Sequence, residues 1–402
     1  MKRKVQWTAL PLAAATAVLG MTFGLGQTSY AAPAKPYKVG IVTEKTGLYS
    51  SYISEWLNGV TIGLNYATKG TDAVNGHKIK LTVEDDADNA TTAVTDFKSL
   101  VGAGYKIIGG TGDSGIADLL TPLAAQNKVL YITGAAAADE ITGANRYTFR
   151  AGRQTYQDVQ TAASYIKALG RGKKILVLGQ DFSFGQSYVN DATKAFASLG
   201  DTVTPVLVPL TTTDFTATAL QVQQDSPDIL FLAWAGSTIV PLIQDLAANG
   251  TLTSSHVVTG LANIATYPFF GAVGQSFNYL SLYTYQSPHN SVNNYLIEQM
   301  AKKYKSQPDL FTATGFVWAQ MVVRALQTGH GTNVNDMING LAGWTFNAPK
   351  GVQTIRVSDH AMLQPMFQVQ LVKTVTGVFE PVTLGTLSAK ATAPPASAHF
   401  AK

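Results

Sequence analysis

Apolar residues along the chain follow two patterns that alternate with each other. Short runs in which nearly every residue is apolar, such as 106–110 and 129–133, are typical of buried parallel strands. Between these two runs, Ile116, Leu120 and Leu123 recur at helical spacing, which predicts a helix with one buried face. The alternation therefore predicts βαβ units and an α/β fold with parallel sheets.

This series of strands and helices occurs twice. The first series has predicted strands at 37–43, 78–84, 106–110, 129–133 and 146–150. The second series begins near Arg153, and its predicted strands are 174–178, 202–208, 228–234, 256–260 and 277–285. Because the series restarts, we predict two similar α/β lobes instead of one large sheet. A late strand is predicted at 366–374, and the composition of 383–402 predicts a disordered tail.

The N-terminus has the features of a secretory signal peptide. Lys2, Arg3 and Lys4 precede an apolar stretch at 10–25, and small residues follow, so we expect a signal peptide at 1–31 that is cut after Ala31. The apolar stretch is interrupted by proline and glycine, and the chain has no cysteine for lipid attachment. We therefore expect a protein that is free in the periplasm, without a membrane or lipid anchor.

Composition and charge exclude several classes of function. The absence of cysteine excludes disulfides, iron–sulfur clusters and thiol chemistry. The six histidines are scattered without metal-ligand spacing, so we expect neither a metal nor a cofactor. Three of the 29 basic residues lie in 1–31, which leaves 26 basic against 25 acidic residues and argues against a nucleic-acid partner.

Two loops of very small residues follow neighbouring predicted strands. The strand at 106–110 ends in GTGDSG, and the strand at 129–133 ends in TGAAAA. Open α/β sheets bind ligands at the carboxyl ends of their strands, and small residues let a ligand approach the backbone. The helix that opens at Ser114 favours an anion at its N-terminus.

The GTGDSG loop has other interpretations. Gly110, Gly112 and Gly115 spell the dinucleotide fingerprint, but this βαβ unit is not the first, and no acid after the next strand is placed for a ribose. The letters GDSG also occur in chymotrypsin-like proteases, which are β-barrels that contain cysteine. A tight turn without any ligand is a third interpretation.

Several segments together resemble the Leu/Ile/Val-binding-like family, the periplasmic solute-binding proteins of ABC transporters. The segments are VGIVTEKTGLYSSY, NGHKIKLTVEDDADN, YTFRAGRQTYQD, GQDFSFGQ, PDILFLAW and APKGVQTIRVSDHAMLQPMFQVQLV, and the resemblance runs from about 37 to about 382. It implies the type I periplasmic-binding fold, in which two Rossmann-like lobes with parallel central sheets are joined by a hinge of three crossovers. The crossovers would fall near 151–153, 285–288 and 360–365, so lobe one would hold 37–151 and 286–360, and lobe two 152–285 and 361–382.

The resemblance also implies a function. Such proteins trap a small ligand as the lobes close and deliver it to an ABC permease in the inner membrane. The expected partners are a small-molecule carboxylate and that permease, and the expected chain is a monomer without catalytic activity.

The family carries a ligand carboxylate on the two small-residue loops. By resemblance, Ser114 would offer its hydroxyl, and Ala136 and Ala137 would offer backbone groups. Tyr52 would cover the ligand from the first loop, and Phe184 would face it from lobe two. Four further positions complete the expected site: Trp234 at the end of a strand, Arg153 and Tyr156 near the hinge, and Asp113 in the GTGDSG loop.

One position departs from the amino-acid binders of the family. Those proteins hold the α-ammonium with an acidic residue after a late lobe-two strand, and that position falls at or near Leu261. No Asp or Glu lies between Ala247 and Gln275. Because an ammonium in a closed cleft needs a partner charge, we expect an aromatic or short aliphatic acid instead of a free amino acid.

Other functions remain open at this point. The ligand could still be a branched-chain amino acid or an amide, with Asp113 or Asp181 holding the ammonium. The protein could be an extracytoplasmic sensor instead of a transport receptor. A remote alternative is a secreted serine hydrolase that uses Ser114 with His77 or His289 as its base.

Overall fold

The computed structural model describes residues 34–396, so the expected signal peptide at 1–31 lies outside the described part of the chain. The first sheet is formed by β1 Tyr37–Thr43, β2 Ala73–Val74, β3 His77–Asp85, β4 Ile107–Gly110, β5 Leu130–Thr133 and β6 Thr148–Arg150. Helices α1 Ser50–Ala67, α2 Ala90–Gly102 and α3 Ser114–Asn127 connect these strands. The strand order is β2-β3-β1-β4-β5-β6, and every pairing except β2–β3 is parallel.

A second sheet repeats this arrangement. In chain order, this second lobe begins with α4 Thr155–Ala168, β7 Lys174–Asp181, α5 Ser183–Ser198, β8 Thr202–Pro209, α6 Thr216–Asp225 and β9 Ile229–Ala233. It continues with α7 Ile239–Ala248, α8 Thr251–Ser254, β10 His256–Gly260, α9 Tyr267–Phe270 and β11 Asn278–Ser281.

The chain then returns to lobe one and crosses once more. This last part contains α10 Ser291–Tyr304, α11 Thr312–Gly329, α12 Val334–Leu341, β12 Thr345–Ala348, β13 Gly351–Ile355, β14 Met362–Leu363, β15 Met366–Lys373 and β16 Phe379–Leu387. The second sheet has the order β16-β15-β11-β10-β9-β7-β8, in which β15 and β16 are antiparallel additions. Strands β12, β13 and β14 form a separate small sheet.

Both sheets are covered by helices on their two faces. In lobe one, α1 and α11 pack on the face that carries Val39 and Ile107, and α2 and α3 pack on the face that carries Val42 and Ile108. In lobe two, α4 and α5 cover one face, and α6 to α9 cover the other. These near-continuous apolar strands explain why the sequence predicted buried parallel sheets.

Helices α1 and α11 touch backbone to backbone. A Cβ on Gly315 would lie 1.9 Å from the carbonyl oxygen of Trp56, and a Cβ on Gly59 would lie 2.0 Å from the carbonyl oxygen of Thr312. Glycine is therefore required where the two helices meet.

The chain passes between the two sheets three times. It leaves the first sheet after Arg150 and enters lobe two at Thr155, and it returns between Ser281 and Ser291. The third passage lies between Leu363 and Met366. The fold is thus the expected α/β arrangement of two lobes, and the residue bounds that we gave for each lobe stay a prediction.

The predicted disordered tail at 383–402 is wrong in its first part. Strand β16 runs to Leu387, and Arg356 then donates from Nη1 to the Pro394 carbonyl at 2.7 Å and from Nη2 to the Pro395 carbonyl at 3.1 Å. The composition of this segment gave no sign of its partners, because β15 and Arg356 lie elsewhere in the sequence. Residues 397–402 lie outside the described part of the chain. Within residues 34–396, no helix is long and apolar enough to cross a bilayer.

Candidate functional site

A cavity lies between the carboxyl ends of the strands of the two sheets. Both sheets reverse their strand order beside their first strand, at β3-β1-β4 and at β8-β7-β9, and such reversals open a crevice for ligands. The cavity volume is about 60 Å³, which is room for several water molecules. Of the ten expected site residues, those that line the cavity are Tyr52, Ala137, Arg153, Phe184, Trp234 and Leu261.

The N-terminus of α3 is occupied by a carboxylate of the protein itself. Glu44, at the end of β1, is fully buried and accepts hydrogen bonds from the Asp113 amide at 2.7 Å and from the Gly112 amide at 2.9 Å. The Thr111 hydroxyl donates to the same carboxylate at 2.5 Å. Glu44 therefore binds two amides of the loop that leads into α3, including that of the N-cap residue Asp113, close to where we expected a ligand anion.

Ser114 and Ala136 do not line the cavity. Ser114 Oγ is buried and accepts hydrogen bonds from the amides of Ala137 and Ala138, each at 3.1 Å. The Ala136 amide donates to the Thr111 carbonyl at 3.3 Å. In this structure the two small-residue loops are thus bonded to each other, and only Ala137 of these three expected contacts faces the cavity.

Asp113 is a helix cap instead of a cavity residue. Its carboxylate accepts a hydrogen bond from the Ile116 amide at 3.0 Å, which satisfies one free donor of α3. Burial raises the pKa of this carboxyl, and the charge of Glu44 adds to the effect. Asp113 therefore stabilises the start of α3 and does not line the cavity.

Arg153 lies in the first passage between the lobes and forms an ion pair in the cavity wall. Its Nε donates to Asp158 on α4 at 3.0 Å, and its Nη1 donates to the Ala135 carbonyl at 3.3 Å. The guanidinium carbon lies 5.9 Å from the centroid of the Phe184 ring. Burial raises the pKa of the Asp158 carboxyl, and the charge of Arg153 opposes that shift. The cavity therefore contains one cation and one carboxylate that face each other.

Tyr156 does not line the cavity, although it lies close to the hinge in sequence. Its amide donates to Asp139 at 3.1 Å, and its hydroxyl has a raised pKa because of burial and the charges of Asp191 and Asp139. The helix α4 directs Asp158, two residues further on, towards the cavity instead. Asp158, and not Tyr156, is thus the residue of this helical turn that lines the cavity.

Seven aromatic residues contribute to the remaining wall, together with smaller apolar residues. Tyr52 lies 4.6 Å from the Phe311 ring, and its hydroxyl accepts a hydrogen bond from the Gly236 amide of lobe two at 3.3 Å. Burial raises the pKa of Tyr52 to about 12. Trp234 donates its indole N–H to Thr238 at 3.0 Å, so the face of its ring remains for the cavity. The contact between Tyr52 and Gly236 joins the two lobes across the cleft.

Tyr49 is a cavity residue that the sequence argument missed. Its side chain is 3% exposed, and its hydroxyl has no hydrogen-bond partner among the described residues. Burial raises the pKa of this phenol, which therefore stays protonated and can donate a hydrogen bond. Two carboxylates fix the loop that carries Tyr49: Asp85 accepts from the Lys45 amide at 2.8 Å, and Asp88 accepts from the Leu48 amide.

Leu261 lies at or near the position where we expected amino-acid binders of the family to place an acid. Its amide donates to the Leu280 carbonyl at 2.8 Å, which fixes the loop after β10, and its side chain lines the cavity. The carboxylate of Asp158 is the acidic group of the cavity wall within the described residues. An acid thus lies in the site, but on α4 and paired with Arg153.

Ser114 and His77 do not form a nucleophile–base pair. The hydroxyl of Ser114 accepts from two amides, whereas His77 stacks on the Tyr37 ring at 4.3 Å and its Nδ1 lies 2.7 Å from the Lys35 carbonyl oxygen. Within residues 34–396, no group of three or more acids or histidines is arranged to hold a metal ion.

Comparison with known proteins gives consistent matches. The sequence profile of the family described as periplasmic binding protein matches residues 36–376. The chain is similar to a Leu/Ile/Val-binding protein of Rhizobium johnstonii, with 26% identity over 233 residues that cover 56% of this chain and 62% of that protein. The chain thus matches somewhat less than two thirds of this curated relative.

Solved structures match over more of the chain. One, described as an ABC-type branched-chain amino acid transporter from Rhodopseudomonas palustris, has 30% identity and a TM-score of 0.73, and covers 91% of this chain and 100% of its own. Another, a solute-binding protein of an ABC transporter from R. palustris in complex with 4-hydroxybenzoate, has 18% identity and a TM-score of 0.81, and covers 88% of this chain and 97% of its own. At that identity the second likeness concerns the fold alone.

Proposed function

The chain belongs to the periplasmic binding protein family, and from this premise we propose that it is the extracytoplasmic solute-binding protein of an ABC transporter. We further propose that its ligand is a small carboxylate, with an aromatic or short aliphatic body. The two lobes close on the ligand, and the closed form docks on a permease in the inner membrane.

The observation that carries this proposal is the composition of the cavity wall. Rings of Tyr52, Phe184, Trp234 and Phe311 surround a space that contains one guanidinium, that of Arg153. Flat apolar walls with a few placed polar groups are typical of small-molecule sites. An aromatic acid would stack between the rings and place its carboxylate on the guanidinium.

The hydroxyl of Tyr49 gives a second point of attachment. A buried donor without a partner is costly, and a ligand oxygen would satisfy it. A carboxylate that accepts from both Tyr49 and Arg153 would be held by a neutral and a charged donor. The R. palustris protein solved with 4-hydroxybenzoate shows that a chain of this fold takes such a ligand.

A second candidate ligand is an α-amino acid, and the ion pair in the wall favours it. An amino acid could place its carboxylate on Arg153 and its ammonium on Asp158, and so replace the present contact of 3.0 Å. The similarity to Leu/Ile/Val-binding proteins adds support for this candidate.

A thermal-shift screen followed by calorimetry tests both candidates. The panel contains benzoate, hydroxybenzoates, phenylacetate, short keto acids and branched-chain amino acids. A ligand at 100 times its dissociation constant stabilises the protein by about 2.7 kcal/mol, so a true ligand gives a clear shift. Stabilisation by acids that lack an amine supports the first candidate, and no shift with any carboxylate contradicts the proposal.

The variant Asp158→Asn separates the two candidates. An aromatic acid needs only the cation and the rings, so its affinity should be kept or should increase when the competing carboxylate is neutral. An amino acid loses the partner of its ammonium and should bind at least tenfold more weakly. Asp225→Asn, an exposed acid at the end of α6, is the matched control.

A further inference from the structure

Carboxyl groups meet at two margins of the closed cleft, outside the ligand cavity. At the first margin, Asp139 of lobe one and Asp191 on α5 of lobe two both lie within 3.2 Å of the Thr155 hydroxyl oxygen. At the second margin, Glu55 on α1 accepts from the Phe311 amide at 3.3 Å, and Asp309, whose charge acts on Glu55, accepts from the Ile264 amide of lobe two. Opening of the lobes would separate or expose both pairs.

The hydrogen bonds at the first margin favour an extra proton on one of the two carboxyls. The Thr155 hydroxyl lies 2.8 Å from Asp139 Oδ1, 3.2 Å from Asp191 Oδ2 and 2.7 Å from Ser187 Oγ. A hydroxyl has one hydrogen and can donate to only one of the two carboxyls. The other carboxyl is left without that donor while it is buried beside a second negative charge, which favours a proton on one of the two.

At the second margin, the contacts of Asp309 also favour a proton on its neighbour Glu55. The Ile264 amide of lobe two donates to Asp309 Oδ2 at 2.7 Å, and the Leu310 amide donates to Asp309 Oδ1 at 2.8 Å. Asp309 thus accepts as a carboxylate, and its charge favours the neutral form of the buried Glu55 carboxyl. Burial and the charge of Asp309 raise the pKa of Glu55, and burial raises the pKa of Asp309 to about 6.

Positive charge near these margins is limited. Within the described residues, the two ion pairs closer than 4.0 Å are Arg153–Asp158 and Arg356–Asp359, and neither involves a margin carboxyl. The cation that faces the first margin is Arg150, but its guanidinium donates to the carbonyls of Ala138 and Arg153 at 2.7 and 3.0 Å. The other titratable groups at that margin are Asp118, Glu140 and Tyr156, and those at the second are Tyr52, Tyr267, Tyr285 and Glu380.

We propose that closing of the cleft takes up protons at these two carboxyl pairs, so that the protein holds its ligand more tightly at acidic than at alkaline pH. The proposal rests on the proposed function, because it concerns closure around that ligand. A permease would then meet a protein whose release of ligand depends on the local pH.

The sign of the effect follows from linkage. In the closed form, burial and the charge of Asp139 raise the pKa of Asp191 to about 8, whereas an open, solvated aspartate titrates near 4. Between these values the closed form binds more protons than the open form, so closure weakens as the pH rises and the dependence ends above about pH 8. A carboxylate ligand is fully ionised over pH 6–8, so its own titration adds nothing.

Calorimetry with a ligand from the thermal-shift screen measures this uptake. Binding is followed at pH 6, 7 and 8, and at pH 7 in two buffers with different heats of ionisation. We expect net proton uptake on binding and a dissociation constant about tenfold higher at pH 8 than at pH 6. A tenfold change corresponds to a net pKa difference of about one unit between the open and closed forms over this pH range. A dissociation constant that stays flat over this range, with no proton exchanged, overturns the proposal.

Two neutral variants locate the effect. Asp191→Asn and Glu55→Gln replace a protonated carboxyl by an amide of similar shape, so each should reduce proton uptake and keep tight binding at pH 8. The exposed control Asp225→Asn should leave the pH profile unchanged. An unchanged profile in both margin variants would contradict the proposal even if the wild type is pH-dependent.

A measurement without ligand separates this proposal from the ligand assignment. The chain has no cysteine, so Lys98→Cys on α2 and Lys194→Cys on α5 allow one distance probe on each lobe. The ligand-free protein should populate short distances more at pH 6 than at pH 8, and Asp191→Asn should reduce the difference. If no acid on the panel binds, the ligand assignment fails, while an unchanged distance distribution refutes proton-linked closure.

Discussion

Removal of the cation from the cavity wall tests the site and the fold together. Arg153 and Asp158 are 11% and 3% exposed, so Arg153→Met leaves a buried carboxylate without its partner. Breaking a buried ion pair from one side costs about 3–5 kcal/mol. The pKa of Asp158 is already raised by burial, so this carboxyl can take up a proton, which limits the loss of unfolding free energy to about 3 kcal/mol.

The double variant Arg153→Met/Asp158→Asn makes this prediction specific. With both charges removed, the loss should fall to about 1 kcal/mol, so the two single effects should not add. Urea unfolding at pH 7 measures each free energy, and Arg171→Met, an exposed arginine, is the control that should change little. A double variant as unstable as Arg153→Met would refute the argument, because the cost would then come from lost packing.

The same variants report on ligand binding. A hydrogen bond to a charged group contributes about 1.5–3 kcal/mol, so Arg153→Met should weaken binding of a carboxylate by about 10–150-fold. The loss should persist in the double variant, because stability returns there but the cation does not. Equal affinity in wild type and both variants would show that the ligand carboxylate is held elsewhere.

Three further predictions concern the scaffold. Gly315→Ala should lower the unfolding free energy by about 1–3 kcal/mol, since its Cβ would lie 1.9 Å from a backbone oxygen, whereas Gly102→Ala, with no atom within 4 Å, should be neutral in the same urea titration. Glu44→Gln should cost about 1.5–3 kcal/mol in thermal unfolding, because the amide has one acceptor oxygen for donors that now share a carboxylate; an unchanged midpoint would contradict this. Burial lowers the pKa of His360 to about 4 from 6.5, so stability should fall by about 3 kcal/mol as the pH drops from 6.5 to 4, and His360→Gln should remove most of this slope.

Strand positions could be predicted because buried parallel strands read as continuous apolar runs. β10 was predicted at its observed bounds, His256–Gly260, and the restart near Arg153 correctly indicated a second lobe. The small sheet at 345–363 was not predicted, because its strands are short and mix polar with apolar residues. β16 was not predicted for a similar reason, because only its pairing with β15 makes this polar segment a strand.

The cavity was predicted less completely. Tyr52 and Phe184 were found because the resemblance covers their loops. Phe311 was not, since it reaches the cavity from the start of α11 and only the packing of α11 on α1 brings it near Tyr52. Asp158 was missed because helical phase, not sequence proximity to the hinge, decides which residue of α4 faces inwards. Nothing in the sequence showed that Glu44 would occupy the N-terminus of α3, since that contact spans 67 to 69 positions.

The glycine contact between α1 and α11 has a consequence for how the binding specificity of this protein can change during evolution. Tyr52 projects from α1, and Phe311 directly precedes α11, so the spacing of these two rings is set by main-chain contact between the helices. Substitutions elsewhere on α1 or α11 cannot widen this aromatic pair without separating the helices. A descendant that takes a larger ligand must therefore replace one of the two rings or gain its space in lobe two, at Phe184, Trp234 or Leu261.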